Sequence, residues 1–274
     1  MRHLITLDDW TTGDLHSVFR TADLYRAGSG PHVNGSAALF FPQSSLRTRV
    51  SFERGTALMG LQPITFPPET LDREEALIDV VGYLSGWVDL LIVRHPDLAV
   101  LEGLARSDLL PVINAMTSEN HPCEVLSDLY ALSQRSEPRA LRYLFVGPDG
   151  NIGRAWREAS RAFGLDLTQS CPASLAMRGV QWNEDLFDAA SRADVILTDS
   201  PGDAAPPLAS YIITQDVLAV APTGVRLAPC PPFLRGRELT DGALSGRAFV
   251  GYEFKRSLLA VQQAVVAHAL GVSE

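Results

Sequence analysis

Of the 23 basic residues in this chain only Lys255 is a lysine. That skew reflects base composition rather than function. Cysteine is nearly as scarce: Cys123, Cys171 and Cys230 form neither a metal-ligand spacing nor an even disulfide framework, so no metal site is expected and a reducing cytoplasm is. No apolar run approaches the roughly 18 residues of a membrane span. The segment from Met1 to Asp9 has too short an apolar run for a signal peptide. An excess of positive charge is also missing. With a net charge of −9 the chain has no overall basic face to offset phosphate repulsion, which excludes nucleic acid as the expected partner. No internal repeat or low-complexity segment is present.

What remains is an ordinary globular composition, 46% hydrophobic and 20% charged over 274 residues. That length accommodates two domains of about 100–150 residues. Apolar positions predict helices over 15–25, from 47, over 74–85, 98–106 and 122–133, and strands at 37–41, 62–66, 90–93 and 111–114. Pro138 lies in a polar connection, 133–139, after which the rhythm restarts. Strands are predicted at 141–146, 165–169 and 194–198, with further ones at 217–220 and 225–227. Helices are predicted at 152–163, 184–191 and 256–270, and a surface loop at 199–207. Short strands alternating with helices mean α/β architecture, with parallel sheets covered on both faces.

One stretch carries most of the chemistry. Ala37 to Phe41 is a buried-strand run, a polar turn follows, and Val50, Phe52, Ala57 and Leu58 recur at helical spacing. Ser45, Arg47 and Thr48 therefore fall where a strand hands over to a helix N-terminus. Backbone N–H groups are unpaired there and the helix dipole favours an anion. Two hydroxyls, with Arg47 and Arg49, make a phosphate cradle; in isolation the same residues read as a serine cap and solvated arginines. Arg47, Arg49, Arg54 and Arg73 also concentrate positive charge locally within an acidic chain.

Ser45-Leu46-Arg47-Thr48-Arg49-Val50-Ser51-Phe52-Glu53 resembles the S-T-R-T-R-x-S-F-E signature of the aspartate and ornithine carbamoyltransferases. Three further stretches resemble the family in the same order: Val93-Arg94-His95-Pro96, His121-Pro122-Cys123-Glu124 with Leu126 and Asp128, and Gly147 to Arg154. The resemblance implies two doubly wound parallel-sheet domains. A carbamoyl phosphate domain would span 1–136, with the helix 256–270 returning to pack on it, and an acceptor domain 137–255. It implies transfer of a carbamoyl group from carbamoyl phosphate to an amine, with no cofactor. Arg47 and the helix N-terminus would hold phosphate, helped by Ser45 and the Leu46 backbone, while Thr48, Arg94 and His121 would contact the carbonyl oxygen. Read singly, Arg94 is a surface charge and His121 a capping or core histidine. The family also lends a basic side chain from a neighbouring subunit. Arg73 stands at that place, which would make the active unit a homotrimer; the other reading is a solvated residue at a helix start.

Two donor positions depart from the family pattern. Leu46 replaces a threonine and loses one hydroxyl. Glu124 replaces a glutamine that would hold the carbamoyl NH2; a carboxylate accepts but cannot donate, and its charge lies near phosphate. The acceptor motifs diverge further. Asp199-Ser200-Pro201-Gly202 stands where the family has D-x-x-x-S-M-G or T-R-x-Q. Ala228-Pro229-Cys230-Pro231-Pro232 replaces H-C-L-P or H-P-L-P, with Pro231 expected to keep the turn as a cis proline and Cys230 either a reactive thiol or an inert buried one. Lys255-Arg256-Ser257 stands where the family has asparagine and glycine. Arg154 matches an arginine that aspartate enzymes turn on a substrate carboxylate; its alternative is a helix residue facing water.

A kept donor half and a rewritten acceptor half resemble a specialised carbamoyltransferase of amino acid or antibiotic metabolism. Enzymes that carbamoylate 2,3-diaminopropionate belong to this group. Asp199 would pair with the acceptor ammonium and Arg154 with its carboxylate. Two other readings compete. One is a non-catalytic paralogue that binds an anion or partner subunit. The other is a dinucleotide site, which Gly147-Pro148-Asp149-Gly150-Asn151-Ile152-Gly153 fits poorly: its spacing is G-x-x-G-x-x-G, and Thr168-Gln169-Ser170-Cys171 lacks the ribose-binding acid.

Overall fold

A computed structural model describes residues 2–273. The chain divides into two compact units, one formed by residues up to Tyr130 together with those from Ser257 onward, the other by Ala131–Arg256. The first contains α1 (Thr12–Arg26), β1 (Gly35–Phe40), α2 (Arg47–Met59), β2 (Leu61–Phe66), α3 (Leu77–Leu84), β3 (Leu90–Arg94), α4 (Leu98–Ala105), β4 (Val112–Met116) and most of α5 (Pro122–Ser133). The second contains β5 (Arg142–Val146), α6 (Asn151–Phe163), β6 (Asp166–Ser170), β7 (Gln181–Trp182), α7 (Leu186–Ala190), β8 (Val195–Thr198), α8 (Gln215–Val220), β9 (Arg226–Pro229), α9 (Asp241–Ser245) and α10 (Gly251–Lys255). The final helix, α11 (Leu258–Ala269), belongs to the first unit.

Both sheets are parallel, in the orders β2-β1-β3-β4 and β7-β6-β5-β8-β9. Continuous apolar sequence sets the central strands, because a parallel strand is covered on both faces. Ala37, Leu39, Leu90 and Ile92 are fully buried, and Ala37 pairs with Leu90 and Leu39 with Ile92. Alternate residues serve opposite faces. Ala38, Phe40, Leu91 and Val93 pack with Val81, Leu101 and Leu104 from α3 and α4. In the second unit Leu144, Val146 and Ile196 pack with Leu186, Val217 and Ala243 from α7, α8 and α9. Trp156 of α6 meets Tyr143 at 5.5 Å between ring centres.

α11 packs on α1 and α2. Gln263 Nε2 donates to the Gly55 carbonyl at 3.2 Å, and a Cβ on Gly55 would stand 3.3 Å from Gln263 Cγ. Only a residue without a side chain fits that contact comfortably. α2 ends at Gly60, whose left-handed φ of 96° favours glycine.

The structure corrects several sequence expectations. Residues 217–220 are helical, in α8, because Thr214 caps that segment by accepting from Val217 N–H, and only Val217 is buried. The helix expected from 74 begins at Leu77; Asp72 is held by His95 instead, at 2.9 Å from His95 Nε2. Asp185 caps α7 through Phe187 and Asp188 N–H groups, so that helix starts at Leu186. The helix expected over 256–270 is present as α11, and the short helix α10 before it was not expected. No helix among the described residues is long and apolar enough to cross a membrane.

His268 of α11 ties the ends of the first unit together. Its Nε2 lies 3.2 Å from Asp14 Oδ1 of α1 and its ring centre 5.1 Å from that of Trp10. Burial holds its pKa below the ordinary imidazole value, Arg2 pushes the same way, and Asp14 pulls against both. Between that lowered pKa and the unfolded value of about 6.5, the unfolded chain binds more protons, so stability falls as pH drops through the window. His268→Gln is expected to flatten the fall in urea midpoint measured between about pH 7 and pH 5; an unchanged slope would rule out His268 as its source.

Candidate active site

Parallel strands bring every strand's C-terminal end to one edge of the sheet. In the first unit the chain steps outward from β1 to β2, then returns across β1 to reach β3. The loops after β1 and β3 therefore part, leaving the crevice where open α/β sheets bind ligands. Ser45 enters it from one loop and Arg94 from the other strand end. Arg94 Nη1 donates to Ser45 Oγ at 3.1 Å. The register of β3 against β4 shifts between Val93 and Arg94, an irregularity of the kind that re-aims a side chain.

Ser45 does not cap α2. Its N–H donates to the Pro42 carbonyl at 2.9 Å, and Leu46 occupies the cap position with no side-chain cap bond. Leu46 is 68% exposed, Arg47 is exposed and Thr48 is buried. The α2 N-terminus thus keeps N–H groups that no side chain caps, with Arg47 beside them. Arg49 is engaged elsewhere, 2.6 Å from Glu53 one turn along.

After β4, Thr117 Oγ1 accepts from Asn120 N–H at 2.9 Å and from Glu119 N–H at 3.1 Å, a tight turn that delivers buried His121 to the start of α5. Pro122 opens that helix, where a missing N–H costs nothing. Glu124 is buried in its first turn, an end whose dipole favours a carboxylate. Burial pushes the Cys123 thiol pKa up, the Glu124 charge adds to it, and the thiol is therefore inert.

Arg73 is exposed and borders a depression of about 310 Å³ with Phe40, Phe66, Thr70 and Tyr83. Its neighbour Asp72 lies 2.9 Å from His95 Nε2, and His95 Nδ1 lies 3.1 Å from the Asp97 N–H nitrogen and 3.3 Å from the Asp97 carbonyl oxygen.

The second unit repeats the topology. The chain winds outward from β5 through β6 to β7, then returns to β8. The loops after β5 and β8 part around a cavity of about 330 Å³ lined by Gly147, Thr198, Asp199, Leu208, Tyr211, Arg237 and Glu238, among others. Asp199 Oδ1 accepts from Ser200 N–H at 2.8 Å. Arg154 donates to Asp149 at 2.8 Å. Cys230 is buried at the end of β9, with its N–H bonded to the Thr198 carbonyl at 3.0 Å. The cis peptide bond joins Pro231 to Pro232, so the cis proline is Pro232 and not Pro231. Arg237, Glu238 and Thr198 were not among the residues picked from the sequence. A buried glutamate in Arg235-Gly236-Arg237-Glu238 reads like any solvated turn residue.

The comparisons with known proteins match this arrangement. The aspartate/ornithine carbamoyltransferase carbamoyl phosphate-binding domain matches residues 2–134. The ornithine carbamoyltransferase of Halorhodospira halophila is 30% identical over 293 residues, covering 97% of this chain and 98% of its own. The chain belongs to the aspartate/ornithine carbamoyltransferase family. The ornithine carbamoyltransferase of Geobacter sulfurreducens is 28% identical, covering 97% of this chain and 98% of its own. Among solved structures, that of Burkholderia thailandensis ornithine carbamoyltransferase superposes with a TM-score of 0.92 at 25% identity, covering both chains fully. The Pyrococcus furiosus ornithine carbamoyltransferase gives 0.90 at 26% identity, over 98% of this chain and 97% of its own. As a carbamoyltransferase, this protein is an enzyme of the transferase class.

Gln169 fixes the loop that borders the second-unit cavity. Its Nε2 donates to the carbonyls of Gly147 at 2.9 Å and Leu175 at 3.2 Å, and its Oε1 accepts from Met177 N–H at 2.7 Å. Gln169→Leu leaves all three backbone groups without that partner and is expected to cost roughly 2–4 kcal/mol in urea unfolding. A loss below about 1 kcal/mol would mean that solvent or neighbours replace those bonds.

Proposed function

We propose that the protein moves the carbamoyl group of carbamoyl phosphate to an amine of a non-standard amino acid, giving a ureido product and phosphate. The observation that carries the reading is the Arg94–Ser45 bond across the first switch point, beside an α2 N-terminus left without a side-chain cap. Phosphate would lie against that N-terminus and Arg47. Thr48, Arg94 and His121 would donate to the carbonyl oxygen as negative charge develops there. The acceptor lone pair forms the new C–N bond, the C–O bond to phosphate breaks with its electron pair on phosphate, and the amine proton passes to phosphate. Positioned donors therefore suffice.

Glu124 would accept from the carbamoyl NH2, its charge tolerated by the α5 N-terminus. The relatives are named for ornithine. In this chain the expected acceptor motifs are rewritten at Asp199-Ser200 and at Cys230-Pro231, which favours a different diamino acid, with 2,3-diaminopropionate of peptide antibiotic synthesis as the candidate. Asp199 would pair with its ammonium and Arg154, exchanging Asp149, with its carboxylate. Arg73 would act in trans, in a homotrimer. Three buried cysteines outside any disulfide fit a cytoplasmic setting. The first unit would thus serve the donor and the second the acceptor.

Calorimetric titration with carbamoyl phosphate tests the donor site. Wild type is expected to bind and Arg47→Ala to bind roughly 10- to 100-fold more weakly, the worth of charge-assisted hydrogen bonds. A panel of amines is then screened for ureido product. Wild-type protein that binds no carbamoyl phosphate, alone or with amines present, would sink the reading.

A further inference from the structure

His95, next in the chain after Arg94, is only 4% exposed. A buried imidazole needs partners for its nitrogens, and two different segments supply them. Nε2 lies 2.9 Å from Asp72 Oδ1; a carboxylate only accepts, so that contact requires a proton on Nε2. Nδ1 lies 3.1 Å from the Asp97 amide nitrogen and 3.3 Å from the Asp97 carbonyl oxygen, so it has a partner whether or not it carries a proton. Asp72 is itself anchored. It follows the single helical turn Pro68–Leu71, and its N–H donates to the Glu69 carbonyl at 3.2 Å. Leu71 is buried in the core cluster that contains Phe40 and Val93.

The ring therefore works as a clamp on the end of β3. On the β4 side the backbone is tied: His95 N–H donates to the Met116 carbonyl at 3.1 Å, and Ser118 N–H to the Pro96 carbonyl at 2.9 Å. That side carries an irregularity, because the β3–β4 register shifts between Val93 and Arg94. From the other side, the segment that follows β2 reaches the ring through Asp72. The Asp72 side chain is 54% exposed, and a pair with such a partner adds little stability. What the contact does is fix where the chain leaves β3. Arg94 Nη1 donates from that strand end to Ser45 Oγ at 3.1 Å. A displacement of the strand end by about 1 Å would carry the guanidinium off that line, an error that catalysis tolerates poorly. We propose that His95, held by Asp72, is a positioning residue for Arg94, fixing the strand end from which the guanidinium reaches the carbamoyl carbonyl oxygen. This rests on the carbamoyltransferase reading above and adds to it a pair of residues that acts through Arg94.

The test combines steady-state kinetics with hydrogen exchange on the full chain. Asp72→Ala removes the acceptor without touching the core. It is expected to lower kcat roughly tenfold, the scale of a hydrogen bond to a charged group. The carbamoyl phosphate KM should change by less than about twofold, because Arg47 and the α2 N-terminus hold the phosphate. Asp72→Asn keeps an acceptor oxygen and should recover most of the loss, and His95→Gln, which keeps a donor, should outperform His95→Ala. In an Arg94→Lys background Asp72→Ala should cost less than about twofold, since a flexible ammonium gains little from a fixed strand end. In an Arg73→Ala background the full loss should persist. Thermal melting checks that each variant folds. Exchange of the amides at residues 94–97 should rise severalfold in Asp72→Ala while that of β5 stays unchanged. Unchanged exchange at 94–97, an equal loss in the Arg94→Lys background, a loss that vanishes in the Arg73→Ala background, or a raised KM with kcat intact would overturn the inference. Where wild type turns over no carbamoyl phosphate with any amine, the carbamoyltransferase reading falls by itself and the exchange measurement alone decides the clamp.

Discussion

Everything at the first site depends on β1 and β3 lying side by side although β2 intervenes in the chain. That adjacency requires two strands apolar enough to be covered on both faces, which Ala37–Phe40 and Leu90–Val93 supply without a polar interruption. Once they pair, the loop after β1 and the end of β3 must open toward each other. Ser45 and Arg94, 49 positions apart in sequence, then come within hydrogen-bond distance. No local feature of either stretch contains that contact; it is a consequence of strand order.

How charge is handled in an acidic chain follows the same logic. Several arginines are already matched. Arg49 meets Glu53, Arg154 meets Asp149, and Arg142 grips Asp194 through Nε and Nη2, each at 2.9 Å. That last pair lowers the Asp194 pKa, chiefly through its hydrogen bonds to Arg142. Such exposed pairs add little stability. On α2 itself the Arg49–Glu53 pair leaves Arg47 and the uncapped N-terminus as the features that would favour an anion despite the net charge of −9.

The sequence made the sheet strands and the hand-over at Ser45–Thr48 legible because each rests on local pattern: a continuous apolar run, a polar turn, then helical spacing. It misled where a local pattern was overridden. Val217-Leu218-Ala219-Val220 reads as a strand until Thr214 is recognised as a cap. Arg73-Glu74-Glu75 are good helix formers, yet the His95–Asp72 contact keeps the segment out of α3. Glu238 was illegible for another reason. Whether a turn glutamate is solvated or buried depends on Ile213 and Leu239 meeting from distant parts of the chain.

Capping shows how local stability and ligand space trade against each other. Thr11, Asp97, Asp185, Thr214 and Thr240 each cap a helix with a side-chain oxygen. α2 and α6, the helices that follow the central strands β1 and β5, begin instead at Leu46 and Gly150 with no side-chain cap bond. A cap is worth about 1 kcal/mol, so leaving it out costs stability. At α2 the omission leaves N–H groups open beside Arg47. At Gly150 an added Cβ would stand 3.5 Å from Asp199 Oδ2, an ordinary contact. α3, α10 and α11 also start without a side-chain cap bond, so a missing cap alone marks no site. What sets α2 and α6 apart is that their starts fall at a switch point, where the loops part and a bound molecule can satisfy the groups that the chain itself leaves open.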